Sequence, residues 1–232
     1  MKTHTLNTKF CTLALVALIG GSLIPAEAQK TPTSAVACNF VGRFYLNPIS
    51  LQGEVVGYFT NIHGIFNGMS APLFKGPPNG PPNGPPSERT AFFTFRSDVF
   101  TLNALPANGD LVLFLVSAGK FNIFFHPAPN CDWSNLDTFS NGQQIANFTR
   151  PEVLDLQFES TSQHMITETL ISSKTFTFNG YNYNFSELVP GGITLFETIS
   201  NTSSLPALAS YSIVLPFAGS GIAVASEKDQ QH

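Results

Sequence analysis

Charged side chains are scarce in this chain. Asp, Glu, Lys and Arg make up 11% of the 232 residues, and the formal net charge is −4. The few basic residues are scattered, so the sequence lacks the basic patch that nucleic-acid binding needs, and an anionic membrane surface is disfavoured for the same reason. We therefore expect no nucleic-acid partner, and few side chains are left for acid–base chemistry.

Catalytic and metal-binding motifs are also missing. The sequence has no Gly-x-Ser-x-Gly nucleophile motif, no phosphate-binding loop and no dinucleotide fingerprint. His164 and Glu168 have the spacing of a helical metal pair, but their segment has the pattern of a strand, where they would lie about 13 Å apart. We expect both to be satisfied polar residues. The sequence thus predicts no metal and no cofactor, and leaves open whether the protein is an enzyme.

The loop around Asp132, Asn135 and Asp137 offers oxygen ligands of the kind that calcium prefers. It lacks the EF-hand spacing, and loops rich in Asp, Asn and Ser usually satisfy their own backbone instead. The only tryptophan, Trp133, lies in the same loop. An exposed Trp133 would stack on a sugar, whereas a buried one would cap the core beside Cys131.

Cysteine is rare, with three residues in the whole chain. Cys11 lies in the N-terminal segment, which leaves Cys38 and Cys131 as an even pair. In an oxidising compartment this pair predicts a disulfide closing a loop of about 90 residues, worth roughly 4 kcal/mol in the chain-entropy model. The alternative is two free thiols that are too far apart to meet.

The N-terminal segment has the three-part layout of a secretory signal peptide. Lys2 and Lys9 precede an apolar run over residues 10–19, and Ala26-Glu27-Ala28 has the form of a cleavage site. The apolar run is too short to span a bilayer. We expect a signal peptide over residues 1–28, cleavage near Ala28, and an extracellular or periplasmic protein without an integral membrane segment.

Three further segments are expected after cleavage. Residues 29–37 read as a mobile leader, 38–225 as a single all-β domain, and 226–232 as a polar tail. Within the domain, residues 76–87 carry near-copies of a Pro-Pro-Asn-Gly repeat. Prolines lack the amide donor that a ladder or helix requires, so the repeat predicts an extended loop inserted at a loop tip.

Short segments rich in β-branched and aromatic residues, bounded by Gly, Asn or Pro, recur along the domain and predict strands. They lie at residues 40–46, 54–62, 90–100, 111–116, 121–126, 143–149, 153–158, 165–171, 175–178, 181–185, 193–199, 213–215 and 222–225. Asn108-Gly109 and Asn179-Gly180 are tight-turn signals. Leu154 and Leu156 alternate with Asp155 and Gln157, which predicts that the polar face of this strand meets water.

No segment shows a sustained helical period, so the fold class is all-β. An antiparallel β-barrel is favoured over a β-sandwich, because closure removes the exposed edges that endanger a Phe-rich sheet. Gly42-Arg43-Phe44-Tyr45 resembles the Gly-x-Trp opening of lipocalins, with Phe in place of Trp, although the later Thr-Asp-Tyr motif is missing. The resemblance implies a barrel that holds a ligand; allene oxide cyclases offer a second barrel of similar general shape.

The 22 phenylalanines, which have no polar handle, predict a core or an apolar cavity. The leading hypothesis is a barrel that binds a small apolar or amphipathic molecule. Its predicted ligand-binding residues share a position in apolar strands and are Phe93, Phe95, Arg96, Phe114 and Phe124. Arg43 and Arg150 also lie in or beside apolar strands, where an Arg facing solvent with its stem packed is the commoner arrangement.

Two other functions stay open. The first is a barrel-type isomerase or cyclase acting on an apolar substrate, for which Glu54, Glu168 or Glu197 would have to face a cavity. The second is an extracellular structural or carbohydrate-binding module, whose contacts would be Trp133 and the loop at residues 76–87.

Overall fold

The computed structural model describes residues 30–65, 73–76, 85–106, 109, 112–157, 160–202 and 204–226. The predicted signal peptide, most of the Pro-Pro-Asn-Gly insertion and most of the polar tail lie outside these residues. Secretion therefore stays a prediction. Of the described residues, 59% lie in strands and 5% in helices, and they form a closed antiparallel barrel of eight strands, which confirms the predicted fold class.

Thirteen strands, one α-helix and one 3₁₀ helix make up the described part of the chain. The strands are β1 (Val36–Asn47), β2 (Gln52–Ile62), β3 (Phe93–Ser97), β4 (Phe100–Ala104), β5 (Val112–Val116), β6 (Gly119–Phe125), β7 (Gln143–Arg150), β8 (Val153–Gln157), β9 (Thr161–Ser173), β10 (Phe176–Phe178), β11 (Tyr181–Tyr183), β12 (Ile193–Ser200) and β13 (Ile213–Ala223). The 3₁₀ helix is Leu136–Phe139 and helix α1 is Phe185–Leu188.

The barrel is an up-and-down meander. β3 and β4, β5 and β6, and β7 and β8 are successive halves of three composite strands, so the wall runs β1, β2, β3/β4, β5/β6, β7/β8, β9, β12, β13. Antiparallel pairing of β13 with β1 closes the ring. Apart from this closing pair, neighbours in the wall are consecutive wall strands in the chain, so no crossover connection is needed.

The three composite strands are interrupted at neighbouring positions, at Asp98-Val99, Ser117-Ala118 and Pro151-Glu152. Pro151 lacks an amide donor and cannot continue a ladder. β7 and β8 also pair with different ends of β9. The last β7 pair is Thr149 with Thr169 and the first β8 pair is Leu156 with Gln163. Described residues 150–155 and 164–168 form no backbone pair with each other, so the wall has a gap here, named the β8–β9 gap below.

Aromatic rings close one end of the barrel. The β10–β11 hairpin turns at Asn179-Gly180, both with positive φ, which confirms the predicted tight turn. Phe178 of this hairpin lies 5.1 Å from Phe93, measured between ring centroids. Phe185 of helix α1 packs edge-on against Phe148. The hairpin and the helix together form an aromatic cap over this end.

No helix in the described part of the chain is long and apolar enough to cross a membrane.

Phenylalanine rings fill much of the barrel interior because glycines stand opposite them. A Cβ on Gly57 would lie 2.4 Å from the Phe95 ring and 2.3 Å from the Val41 carbonyl oxygen. Gly42 stands in the same relation to Phe217, and Gly42 and Gly57 pair across β1 and β2. This half of the interior is therefore a packed core rather than a cavity.

Replacing Gly57 with Ala is expected to destabilise the protein by about 1–3 kcal/mol, because both the ring and a backbone oxygen would have to move. Chemical denaturation of the variant measures this. Gly109→Ala is the control, since nothing lies within 4 Å of a Cβ there, although its positive φ adds some strain. Equal stability of Gly57→Ala and wild type would contradict the packed interior.

The polar face of β8 points into the barrel, not into water. Asp155 is 1% exposed, whereas Leu154 is 46% exposed. The predicted wet face of this strand is therefore wrong. The reason is that the inner wall at this level carries charged residues on other strands, and Asp155 joins them.

A second hydrophobic cluster lies outside the barrel wall and contains Tyr45, Cys131 and Phe139. Cys38 belongs to the core inside the wall. The two cysteines are free thiols, so the predicted disulfide is not formed. They lie in separate clusters, and the even number of cysteines in the sequence does not reveal this separation. Burial raises the pKa of both thiols to about 12.

Candidate functional site

A cluster of buried charged side chains lies inside the barrel beside the β8–β9 gap. Its members are Arg150 at the end of β7, Asp155 on β8, His164 and Glu168 on β9, and Glu197 on β12. Each is at most 8% exposed. Charged groups are seldom buried unless paired, so the partners of each one decide what the cluster can do.

His164 is held between two carboxylates. Its Nε2 lies 2.9 Å from Asp155 Oδ1 and its Nδ1 lies 3.6 Å from Glu197 Oε2. The Nε2–Oδ1 contact lies outside good hydrogen-bond geometry and is an ion pair. Burial alone would lower the pKa of His164, but Asp155 and Glu197 outweigh it and raise the pKa to about 9. His164 is therefore a cation at neutral pH.

Arg150 and Glu168 lack such partners. Arg150 Nε and Nη2 and both carboxylate oxygens of Glu168 are buried without a hydrogen bond. Within the described part of the chain, Arg150 has no ion-pair partner within 4.0 Å; its guanidinium lies over the Phe100 ring at 5.1 Å. Burial, and then the charge of Glu197, raise the pKa of Glu168 well above its ordinary value, so its neutral form is favoured.

These polar atoms border a small cavity in the interior. Its volume is about 30 Å³, and it is lined by Arg150, Glu168, His164 and Glu197 together with apolar side chains that include Phe44 and Phe100. By this measure one water needs about 10–15 Å³, so the cavity holds about two water-sized groups. The cavity is thus mostly apolar, with a few unsatisfied donors and acceptors at its border.

A groove of about 580 Å³ lies on the outer wall over the β8–β9 gap. Its sides include the outward-facing Leu154, Met165 and Phe196, which are 46%, 67% and 42% exposed. His164 and Glu197 line both the groove and the inner cavity, and so does Val153. Only these three residues are shared, so they form the partition between outside and inside.

The residues predicted to bind a ligand are not brought together. Phe93 and Phe95 are in the packed core, and Phe114 packs against that core while partly buried. Arg96 and Phe124 alternate with inward-facing neighbours on β3 and β6 and lie on the outer face. None of the five lines the inner cavity, whose rings are Phe44, Phe100 and Phe121.

Arg96 instead pairs with Glu54 on the outer wall. Its Nε donates to Glu54 Oε2 at 2.6 Å, and its Nη1 donates to Asp137 Oδ1 at 2.8 Å. Tyr211 donates to the other Glu54 oxygen at 2.7 Å. This network, the outer clamp, ties two loops to the barrel wall, and it places Glu54 away from the cavity.

In the loop around Asp132, side-chain oxygens accept hydrogen bonds from other residues of the same loop. Asp132 Oδ1 accepts hydrogen bonds from the amide and hydroxyl of Ser134, and Asn135 Oδ1 accepts from the Asp137 amide. No group of three or more His, Cys, Asp or Glu residues in the described part of the chain could hold a metal ion. Trp133 lies between the guanidinium of Arg43, at 4.3 Å, and the ring of Phe139, at 4.7 Å.

Part of this cluster could be read from the sequence. Alternate residues of a strand lie on the same face. Glu197 shares a face of β12 with Leu195 and Ile199, and Glu168 shares a face of β9 with Ile166, so alternation places both carboxylates inside the barrel. Glu168 was expected to be satisfied and is not. The prediction that Arg150 faces solvent is wrong, because Arg150 is 4% exposed and lies on the same inward face of β7 as Phe148.

Replacing Glu168 with Gln is expected to stabilise the protein by about 1–2 kcal/mol at pH 8 and to change little at pH 4. Folding raises the pKa of Glu168, so its contribution is fully present below about pH 4.5 and declines as the pH rises towards the raised pKa. Gln keeps the shape without the charge. Chemical denaturation of wild type and Glu168→Gln between pH 4 and pH 8 measures this difference in stability. Parallel profiles of stability against pH would contradict the expectation.

Comparisons with protein families, with curated proteins and with solved structures find no match to this chain. The structure shows an all-β closed barrel with an internal charged cluster, a small cavity bordered by that cluster, and a groove beside it.

Proposed function

We propose that this protein is a secreted β-barrel that binds a small amphipathic molecule beside the β8–β9 gap. The observation that carries the proposal is the set of buried polar atoms on Arg150 and Glu168 that have no protein partner and border a cavity. An unpaired buried donor costs about 1–3 kcal/mol, and a charged one costs more. A site that retains two such groups inside a Phe-rich barrel is typical of binding or catalysis rather than of stability.

The ligand is expected to have a small polar group and a larger apolar body. The cavity of about 30 Å³ accepts only a small group, whereas the groove of about 580 Å³ has the size of a small-molecule site. Its lining combines apolar side chains, such as Met165 and Phe196, with polar ones, such as Gln163. The rest of the described interior is packed with apolar side chains, many of them phenylalanine rings.

The first experiment is native mass spectrometry of the purified protein, followed by extraction and identification of bound small molecules. We expect a stoichiometric lipid-like species, or saturable binding of hydrophobic fluorescent probes by protein that is empty. Protein that carries nothing and binds no such probe would contradict the proposed function.

A second candidate function is an isomerase or cyclase acting on an apolar substrate. It is favoured by Glu168 and Glu197, two of the carboxylates that this hypothesis requires at a cavity. A carboxyl group kept neutral by burial donates a proton, and its conjugate base takes one back, which is the chemistry of a double-bond shift. If the protein binds a small molecule but does not convert it, the isomerase or cyclase function is wrong and the binding function remains.

A further inference from the structure

The unpaired edge of Arg150 has the geometry of a carboxylate receptor. Nε and Nη2 lie on the same edge of the planar guanidinium, so their two N–H groups point in parallel. Both are buried without a hydrogen bond. A carboxylate offers two oxygens at the matching separation, and the adjoining cavity has room for about two water-sized groups.

The free edge of the Arg150 guanidinium favours an anion over an amine. Asp155 and Glu197 share the single cation of His164, and the charge of Glu197 also acts on Arg150, as do those of Glu168 and the exposed Asp98. None of these carboxylates accepts a hydrogen bond from Arg150 Nε or Nη2, so that edge is open to the oxygens of a ligand. Burial favours the neutral form of Glu168, whose O–H donates to a second ligand oxygen, whereas an amine would be repelled by the guanidinium.

The β8–β9 gap is the short route between this receptor and solvent. Residues 150–155 and 164–168 are not paired to each other, so no backbone hydrogen bond has to break for a chain to pass between them. The groove lies directly outside, and Val153, His164 and Glu197 line both the groove and the cavity. The barrel end near Phe93 is covered by the aromatic cap.

We propose that the ligand is an apolar carboxylic acid that enters through the side of the barrel, with its carboxylate on the Arg150 edge and its hydrocarbon body in the groove over the β8–β9 gap. This inference rests on the proposed binding function. The source of specificity is the paired N–H edge, and the groove accepts apolar chains of varied shape.

The head-group test uses cis-parinaric acid and its methyl ester, both of which fluoresce in apolar surroundings. We expect wild type to bind the acid about 10- to 100-fold more tightly than the ester. Arg150→Met should abolish this preference while keeping the fold, because the removed donors have no protein partner. Arg43→Met is the matched control, since Arg43 lies outside the barrel over Trp133. An unchanged preference in Arg150→Met would overturn carboxylate recognition.

The access test blocks the groove from outside. Met165→Cys, at a position 67% exposed in the groove, is labelled with a bulky maleimide. In protein that begins at residue 29, and therefore lacks Cys11, the native thiols are those of Cys38 and Cys131, which are buried and protonated, so the label is selective. The control is Ile171→Cys, which is 53% exposed on the same strand but does not line the groove. We expect labelling to slow association of the acid at least about 10-fold at position 165 only.

The outcomes separate the two proposals. If the labelled Met165→Cys protein binds as fast as the unlabelled one while Arg150 is still required, the side entrance is wrong and the receptor stands. If wild type binds acid and ester equally well, the carboxylate class is wrong but a binding function remains. If wild type binds neither probe and carries no extractable small molecule, the proposed function itself fails.

Discussion

Replacing His164 with Leu is expected to destabilise the protein by about 3–5 kcal/mol at pH 7. The substitution removes the cation between Asp155 and Glu197, which are 1% and 6% exposed, and leaves two buried carboxylates facing each other. For a chain of this size the loss corresponds to a drop in Tm of about 10 °C. Met165→Ala, on the exposed face of the same strand, is the control and should change stability by less than about 0.5 kcal/mol.

The pH profile distinguishes this ion pair from simple packing. Folding raises the pKa of His164 from 6.5 to about 9, so its contribution is fully present below about pH 6.5 and is lost as the pH rises through about 9. At about 1.4 kcal/mol for each pH unit, this decline amounts to about 3 kcal/mol. The Leu variant should lack the decline. If its profile between pH 6.5 and 9 matches wild type, His164 is not the protonated partner of these carboxylates.

Replacing Arg96 with Met is expected to destabilise the protein by about 2–4 kcal/mol and to leave ligand binding intact. Glu54 is 3% exposed, and without Arg96 its carboxylate would keep only the hydroxyl of Tyr211 as a partner. The lower end of this range applies because the Arg96 side chain is 23% exposed and partly screened by water. Denaturation and cis-parinaric acid titration of the same preparation measure both effects.

A double variant provides the control for the outer clamp. Glu54→Gln combined with Arg96→Met removes the buried charge together with its partner, and should recover at least about 1 kcal/mol relative to Arg96→Met alone. No recovery would mean that Arg96 acts by packing rather than by neutralising Glu54. If well-folded Arg96→Met loses affinity for cis-parinaric acid, Arg96 belongs to the ligand-binding site, as its position in the sequence predicts.

Aromatic residues in apolar strands are typical of a cavity and of a core alike. Phe93 and Phe95 are in the packed core, where Gly57 on the neighbouring strand leaves room for the Phe95 ring. Arg96 and Arg150 look alike in sequence, each in or beside an apolar strand. Only the parity of each strand in the closed wall puts the first outside and the second inside. A shift of one residue exchanges the two faces of a strand, and local pattern does not fix that choice where both faces are apolar.

The sequence by itself determined the all-β class, the approximate strands, the hairpin turn at Asn179-Gly180 and the scarcity of charge, because these depend on side-chain period and local turn chemistry. The tertiary structure alone decided which charged residues meet. Asp155, His164, Glu197, Arg150 and Glu168 come from four different strands, and closure of the ring brings them to one level beside a gap in the wall. It also separated Cys38 from Cys131 by placing them in different clusters. Contacts between distant segments depend on register and closure, which are properties of the whole wall and not of any segment in it.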